Sequence, residues 1–263
     1  MARVYNMLRI ALCSDQRRRL LLSLNGGKKS LSDLRDEVQL DSPTIIHNLR
    51  QLEANHMVGQ SATKDYYLTK LGRNMARGVI HDYRRTETLV KYETFWCEHD
   101  LDGIPDHLFD RIGALHDSAL VADTELDPFK TYNSFVERFK KFTVLQLVSS
   151  VPVSNPRLFL NDIISAETRV KVVLTEPMLQ HVIEDVGEAK VKEALASGHE
   201  LYVTKHDPRL VLAIVDQLMT LFLHNSEGGF DYSAALTSQS KEALTWAREV
   251  FRYYVKLSKS VTL

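Results

Sequence analysis

The tract from Asp41 to Gly72, "DSPTIIHNLRQLEANHMVGQSATKDYYLTKLG", constrains this chain more than any other. Asp41 or Ser42 can cap a helix, and Pro43 falls in its first turn, where a missing N–H costs nothing. Ile45, Leu49 and Leu52 recur at i, i+4, i+7 and mark one buried face. The rest of the helix offers Thr44, Ile46, His47, Asn48, Arg50 and Gln51. After Asn55, "MVGQ" and "YYL" suit two short strands, and "SATKD" suits the turn between them. Thr69 can then cap another helix.

Upstream, Ser14 can cap a helix burying Leu20, Leu21 and Leu24, which "NGG" at Asn25–Gly27 ends. Ser30 with Asp33 resembles a capping box for a short helix that buries Leu34 and Val38. Three short helices followed by a hairpin make a winged helix-turn-helix. In such a unit the third helix needs an apolar underside and an outer face of donors that reach base edges. Arginine pairs with guanine, and asparagine or glutamine with adenine. We expect Ser42, Thr44, Ile46, His47, Asn48, Arg50 and Gln51 to form that face, with Lys28, Lys29 and Lys64 meeting phosphates. On an isolated helix such residues simply solvate a surface; the order of the flanking segments turns them into a reading face.

Charge agrees. Residues 1–75 carry 12 basic and 7 acidic side chains, a net of +5, against 21 and 27 in the remainder, a net of -6. A basic head on an acidic body suits a polyanion partner for the head. No apolar run approaches the roughly 18–20 residues of a membrane helix. The start "MARVYNMLRIALCSDQRRR" has too short an apolar run for a signal peptide. Cys13 and Cys97 match no zinc spacing, so a cytoplasmic protein without cofactor is expected.

The head resembles the arsenic-repressor-like winged-helix regulators, which show a helix ending in "hLkkLe", a glycine turn, "Lv", a wing and "yxLTxxG". Here His56 and Met57 stand where Gly-Leu is usual, and the wing is short. The arsenic-sensing cysteine pair has no counterpart.

From Thr69 to Cys97 the chain reads as one helix with two apolar stripes: Met75, Val79, Tyr83 and Val90, then Leu89, Tyr92 and Trp96. Two stripes suit contacts within the domain and with a second subunit, or intramolecular packing of both. "CEHDLDGIPDH" gathers potential ligands, but their spacing matches no closed metal site, and "DGIP" is a turn signal.

Further on, a helix is expected at "YNSFVERFKKF" and another near "NPRLFLNDII", with a third over "LQHVIEDVGEAKVKEALA". Strands are expected at "TVLQLVSSV", "TRVKVVLT", "HELYVT", "RLVLAIVD" and "LMTLFLH", with a closing helix that buries Leu244, Val250, Phe251 and Tyr254. This is an α/β layer with a mixed sheet. The expected division is a winged helix over 1–75, a helical linker over 76–125 and an α/β domain over 126–263.

The body resembles the middle domain of the archaeal methanogenesis regulatory proteins. "IPDHL", "VVLTEPML" and "ELYVT" carry the resemblance, with "GGFD", Leu236, "EALTWA" and "VFRYY" towards the end. It implies a transcription regulator whose body senses an effector or holds a homodimer, with no established ligand. The layout is also loosely similar to phospholipase-D-like domains, but none of the ten histidines has lysine two residues later. Neither a G-x-S-x-G elbow nor a P-loop is present. No catalytic role is expected.

Ligands in α/β layers collect beyond strand C-termini, here Ser149, Ser150, Thr175, Glu176 and Asp216, positions equally good as caps and turns. Asp231 and Trp246 suit a turn former and a core aromatic. The reading is a dimeric regulator that binds double-stranded DNA. A protein-interaction module is the alternative, with Ile46 on the outer face leaning that way.

Overall fold

A computed structural model describes residues 2–138, 142–152 and 168–262. The chain divides into two compact units, Met1–Thr86 and Glu87–Leu263.

The first unit runs α1 (Ala2–Leu12), α2 (Asp15–Asn25), α3 (Leu31–Val38) and α4 (Ser42–Ala54), then a hairpin of β1 (Val58–Gln60) and β2 (Tyr66–Leu68). α5 (Lys70–Lys91) follows. The caps are local chemistry. Ser14 accepts from the Arg17 amide, and Asp41 accepts from the Thr44 amide at 2.8 Å. Ser30 and Asp33 satisfy each other's backbone N–H groups in a reciprocal capping box. Leu20, Leu21, Leu24, Leu34, Ile45, Leu49 and Leu52 close a core with Met57 and Val79. Burying each such side chain contributes about 1.5–3 kcal/mol. α1 adds Ile10 and Ala11 to this core, an element the sequence does not announce.

The turn from α4 into the hairpin is a Schellman motif: Met57 N–H donates to Leu52 O at 2.9 Å and His56 N–H to Glu53 O at 2.8 Å. His56 therefore takes φ 59°, a left-handed position that favours glycine. Thr69 Oγ1 donates to His56 O at 2.6 Å and accepts from the Gly72 amide, which fastens the start of α5 to the same turn. Gly72 is needed there because a Cβ would lie 1.8 Å from the Met57 carbonyl oxygen.

Among the described residues, the second unit is built on an eight-stranded mixed sheet of order β10-β6-β5-β4-β7-β8-β9-β3. Its strands are β3 (Ala119–Ala122), β4 (Val144–Ser149), β5 (Arg169–Thr175), β6 (Glu200–Thr204), β7 (Leu210–Val215), β8 (Leu218–Leu223), β9 (Ala234–Ser238) and β10 (Ser258–Ser260). β4, β5 and β6 are parallel; the other pairings are antiparallel. Leu210, Leu212 and Ile214 face one core, and Val211, Ala213 and Val215 the other, so β7 is apolar on both sides. α6 (Glu93–Glu98), α7 (Asp106–Phe109) and α11 (Lys241–Leu257) bring Trp96, Leu108, Trp246 and Phe251 to the first core. α8 (Lys130–Glu137), α9 (Glu176–Val186) and α10 (Glu188–Ala196) bring Phe135, Val182 and Ala194 to the second. Trp246 is fully buried and its Nε1 donates to Leu108 O at 2.8 Å.

Three expectations need correction. The helix over Thr69–Cys97 is two, α5 and α6, divided at Tyr92, whose hydroxyl donates to Ser118 O. Its second stripe, Leu89, Tyr92 and Trp96, packs within the second unit, whereas Tyr83 and Val90 of the first are exposed. The helix over 179–196 is likewise two, because Gly187 at φ 88° interrupts the backbone. β3, β9 and β10 lie beyond the expected strands. The helix expected near Asn155, and residues 139–141 of the preceding one, lie outside the described residues.

Candidate nucleic-acid interface

At about 100° per residue, Ile45, Asn48, Leu49 and Leu52 occupy one arc of α4, and all four are buried. Pro43, His47, Arg50 and Ala54 occupy the opposite arc and are exposed. The helix is therefore fixed underneath and open above.

Within the expected reading face the residues separate. Arg50 is exposed, with no hydrogen-bond or ion-pair partner among the described residues. His47 is exposed; its Nε2 lies 2.8 Å from Gln51 Nε2, close enough to accept from that amide. Gln51 is half-buried, and its Oε1 accepts from Arg17 Nη1 at 2.7 Å. Ser42, Thr44 and Ile46 are half-buried, and the Thr44 hydroxyl donates to Asp41 Oδ2 at 2.9 Å. Asn48 is a correction. It is only 3% exposed, and its Nδ2 donates to Gln16 Oε1 at 3.0 Å and Thr44 O at 2.9 Å. It lies about 60° round the helix from Ile45, too close to the core to join the outer face.

The basic residues separate in the same way. Lys64 is exposed in the hairpin turn at φ 65°, with its amide donating to Ser61 O at 2.9 Å. Lys28 is exposed and lies 5.8 Å from the Tyr67 ring centroid. Lys29 is a second correction: it pairs with Glu37, and the Lys29 hydrogen bond is the chief cause holding the Glu37 carboxyl below its ordinary range. Its charge is already compensated, and its backbone bridges to Tyr66 as an extra rung beside the hairpin. Sequence spacing does not single out Lys70, Arg73 and Arg77, which are exposed along α5. Over its full extent, Met1–Thr86, the first unit holds 15 basic and 8 acidic side chains, a net of +7; the second holds 18 and 26, a net of -8.

In the second unit the ligand candidates do not form one group. Ser149 and Thr175 end the parallel neighbours β4 and β5, and Glu176 is exposed in the first turn of α9. The Ser149 hydroxyl is engaged with Val151 O at 2.7 Å. Ser150 Oγ lies 2.8 Å from His224 Nε2 and 3.1 Å from Leu210 O. Asp216 is a correction, since it sits at the opposite end of the strands, beside the start of β4. There it accepts from the Thr143 and Val144 amides at 3.0 and 2.9 Å. β7 runs antiparallel to β4, so the end of one adjoins the start of the other. His99, in the metal-like run, lies 3.0 Å from Asp231 Oδ2 and 2.6 Å from Phe95 O through its other ring nitrogen.

Residues 5–81 match the family model for the N-terminal domain of methanogenesis regulatory protein FilR1, and residues 128–257 match that for its middle domain. The methanogenesis regulatory protein FilR1 of Methanothrix harundinacea (strain 6Ac) is 22% identical over 97% of this chain. The chain spans 58% of the length of that relative. Among solved structures, the archaeal chromatin protein TrmBL2, whose structure shows a novel mode of DNA binding, is 15% identical with a TM-score of 0.43, covering 94% of each chain. The phospholipase D family member Nuc from Salmonella typhimurium is 11% identical with a TM-score of 0.39, covering 56% of this chain and 99% of its own. The chain is homologous to a methanogenesis regulatory protein.

Proposed function

We propose that this chain, similar in both units to the methanogenesis regulatory protein FilR1, is a transcriptional regulator that reads promoter DNA with α4 of a winged helix-turn-helix. The observation that carries the reading is α4 itself: a locked apolar underside, and an opposite arc with His47 and an unpartnered Arg50. A guanidinium free of protein partners is ready for the O6 and N7 acceptors of guanine. Lys28 and Lys64, with the α5 cations, supply phosphate contacts that position the helix and make affinity salt-dependent.

The second unit serves as effector or assembly domain, and the regulator acts as a homodimer, since operators are read as half-sites by symmetric pairs. Any effector enters beyond the C-terminal ends of β4 and β5, near Ser150 and Thr175, and not near Asp216. No catalytic residue is assigned.

The docking alternative would require apolar surface on the same arc, but Ile46 is half-buried and flanked by His47 and Arg50. Selection of bound fragments from genomic DNA at two salt concentrations tests the proposal. Recovery of a shared sequence at both salts is expected, and recovery of no enriched sequence at either salt refutes it.

A further inference from the structure

We propose that a phosphate-class oxyanion binds in the cleft beside the end of α4, held between Arg9 of α1 and Arg17 of α2. Arg9, Ile10, Cys13, Arg17, Gln51 and Asn55 line this cleft. Arg17 is anchored by neutral acceptors alone: Nε donates to Ile10 O at 2.7 Å and Nη1 to Gln51 Oε1 at 2.7 Å. Those bonds leave its charge uncompensated, because both acceptors are neutral. Among the described residues no carboxylate pairs with Arg9 or Arg17, whereas Arg18 and Arg19 share Asp15 and Arg35 has Asp36. Burial, and after it the charge of Arg9, lowers the Arg17 pKa, so the two cations crowd one another in a partly dry setting.

Two adjacent guanidiniums without a carboxylate form an incomplete ion cluster, and a dianion completes it. Guanidinium forks bind phosphate oxygens bidentately, with geometry as well as charge. A free phosphate ester and a backbone phosphate of a bound duplex share this chemistry. Occupancy also reaches α4, because Arg17 bonds Gln51 and Gln51 lies against His47. An anion that draws Arg17 away frees Gln51. This last link rests on the proposed DNA-reading role of α4; the anion site does not.

Calorimetric titration of the whole chain with inorganic pyrophosphate, in the absence of DNA, tests the site. One saturable event is expected, weakened about tenfold or more in Arg9→Gln and in the charge-reversed Arg9→Glu. It should be unchanged in Arg19→Gln, whose residue lies on α2 with Arg17 but pairs with Asp15. Gln51→Ala removes a competing acceptor and should tighten binding. No saturable event, or an equal loss in Arg19→Gln and Arg9→Gln, overturns the site; weaker binding in Gln51→Ala overturns the competition. Arg9 is exposed, so its variants should keep the wild-type melt. A duplex arm identifies the source. Displacement of bound duplex by pyrophosphate in wild type but not in Arg9→Gln supports a backbone phosphate, and simultaneous binding of both supports a free anion.

Discussion

Asn48 Nδ2 donates to Gln16 Oε1 at 3.0 Å, joining the underside of α4 to α2, and the same amide reaches Thr44 O at 2.9 Å. A residue type suited to adenine is thus spent on holding the helix in place. Removing it should cost folding stability. We expect Asn48→Ala to destabilise the first unit by about 1–2 kcal/mol, the scale of a lost buried hydrogen bond and its unsatisfied partner. Sequence preference on DNA should be unaltered. Urea denaturation with a binding-site selection on the variant checks both parts; a changed preference at full stability contradicts the assignment.

Gly72 should tolerate no side chain. In an open helix Gly→Ala is favourable by about 1 kcal/mol, yet here the added carbon would meet the Met57 carbonyl oxygen. Gly72→Ala should therefore destabilise the first unit by about 1–3 kcal/mol, as overpacking does. A thermal melt that rises instead would show that the contact relaxes freely.

His56 offers the opposite case. It occupies φ 59° in the Schellman turn, where a Cβ costs roughly 1–2 kcal/mol. His56→Gly should recover about 1 kcal/mol, less the extra backbone freedom glycine has when unfolded. Chemical denaturation of the variant gives the sign directly.

The hydrogen bonds around the Asp231 carboxylate give the second unit a pH-dependent stability. Burial pushes the Asp231 carboxyl up, but the Ser233 hydroxyl and amide, together with His99, more than offset this and hold it below the ordinary aspartate range. A folded-state pKa that is depressed contributes stability present above the unfolded value, near 4, and lost as pH falls through the folded value. Asp231→Asn should therefore be less stable than wild type at pH 7, with the gap narrowing below about pH 4. Urea melts at pH 7 and pH 3.5 check the sign, and a gap that widens in acid contradicts it.

Much of this molecule was legible because its signals are local. The caps at Ser14, Ser30 and Asp41 depend on neighbours three residues away, and the i, i+4, i+7 row of Ile45, Leu49 and Leu52 depends on one helix. Apolar β-branched runs revealed β4 to β8. What escaped depends on distant partners. β3 and β10 are short edge strands defined by pairing with β9 and β6: β3 is apolar but only four residues long, and β10 has no apolar residue at all. The residue type of Asn48 suits base reading but its helical angle does not: the position faces α2, and the bonds to Gln16 and Thr44 O account for a polar group there. Lys29 counts as a cation in the sequence, but Glu37, eight residues on, neutralises it. Ser149 and Asp216 both flank strands, and pairing alone shows that they lie at opposite ends of the sheet.

Fluorescence anisotropy with a genome-selected duplex, comparing wild type with Arg50→Ala, tests the central claim most directly. If α4 reads bases through its open arc, Arg50→Ala should weaken the selected duplex by about 1–3 kcal/mol and relax preference at one base pair, while the variant melts like wild type. Lys64→Ala should weaken all sequences alike and lower the salt slope by about 1. Wild-type affinity and preference in Arg50→Ala would contradict the account.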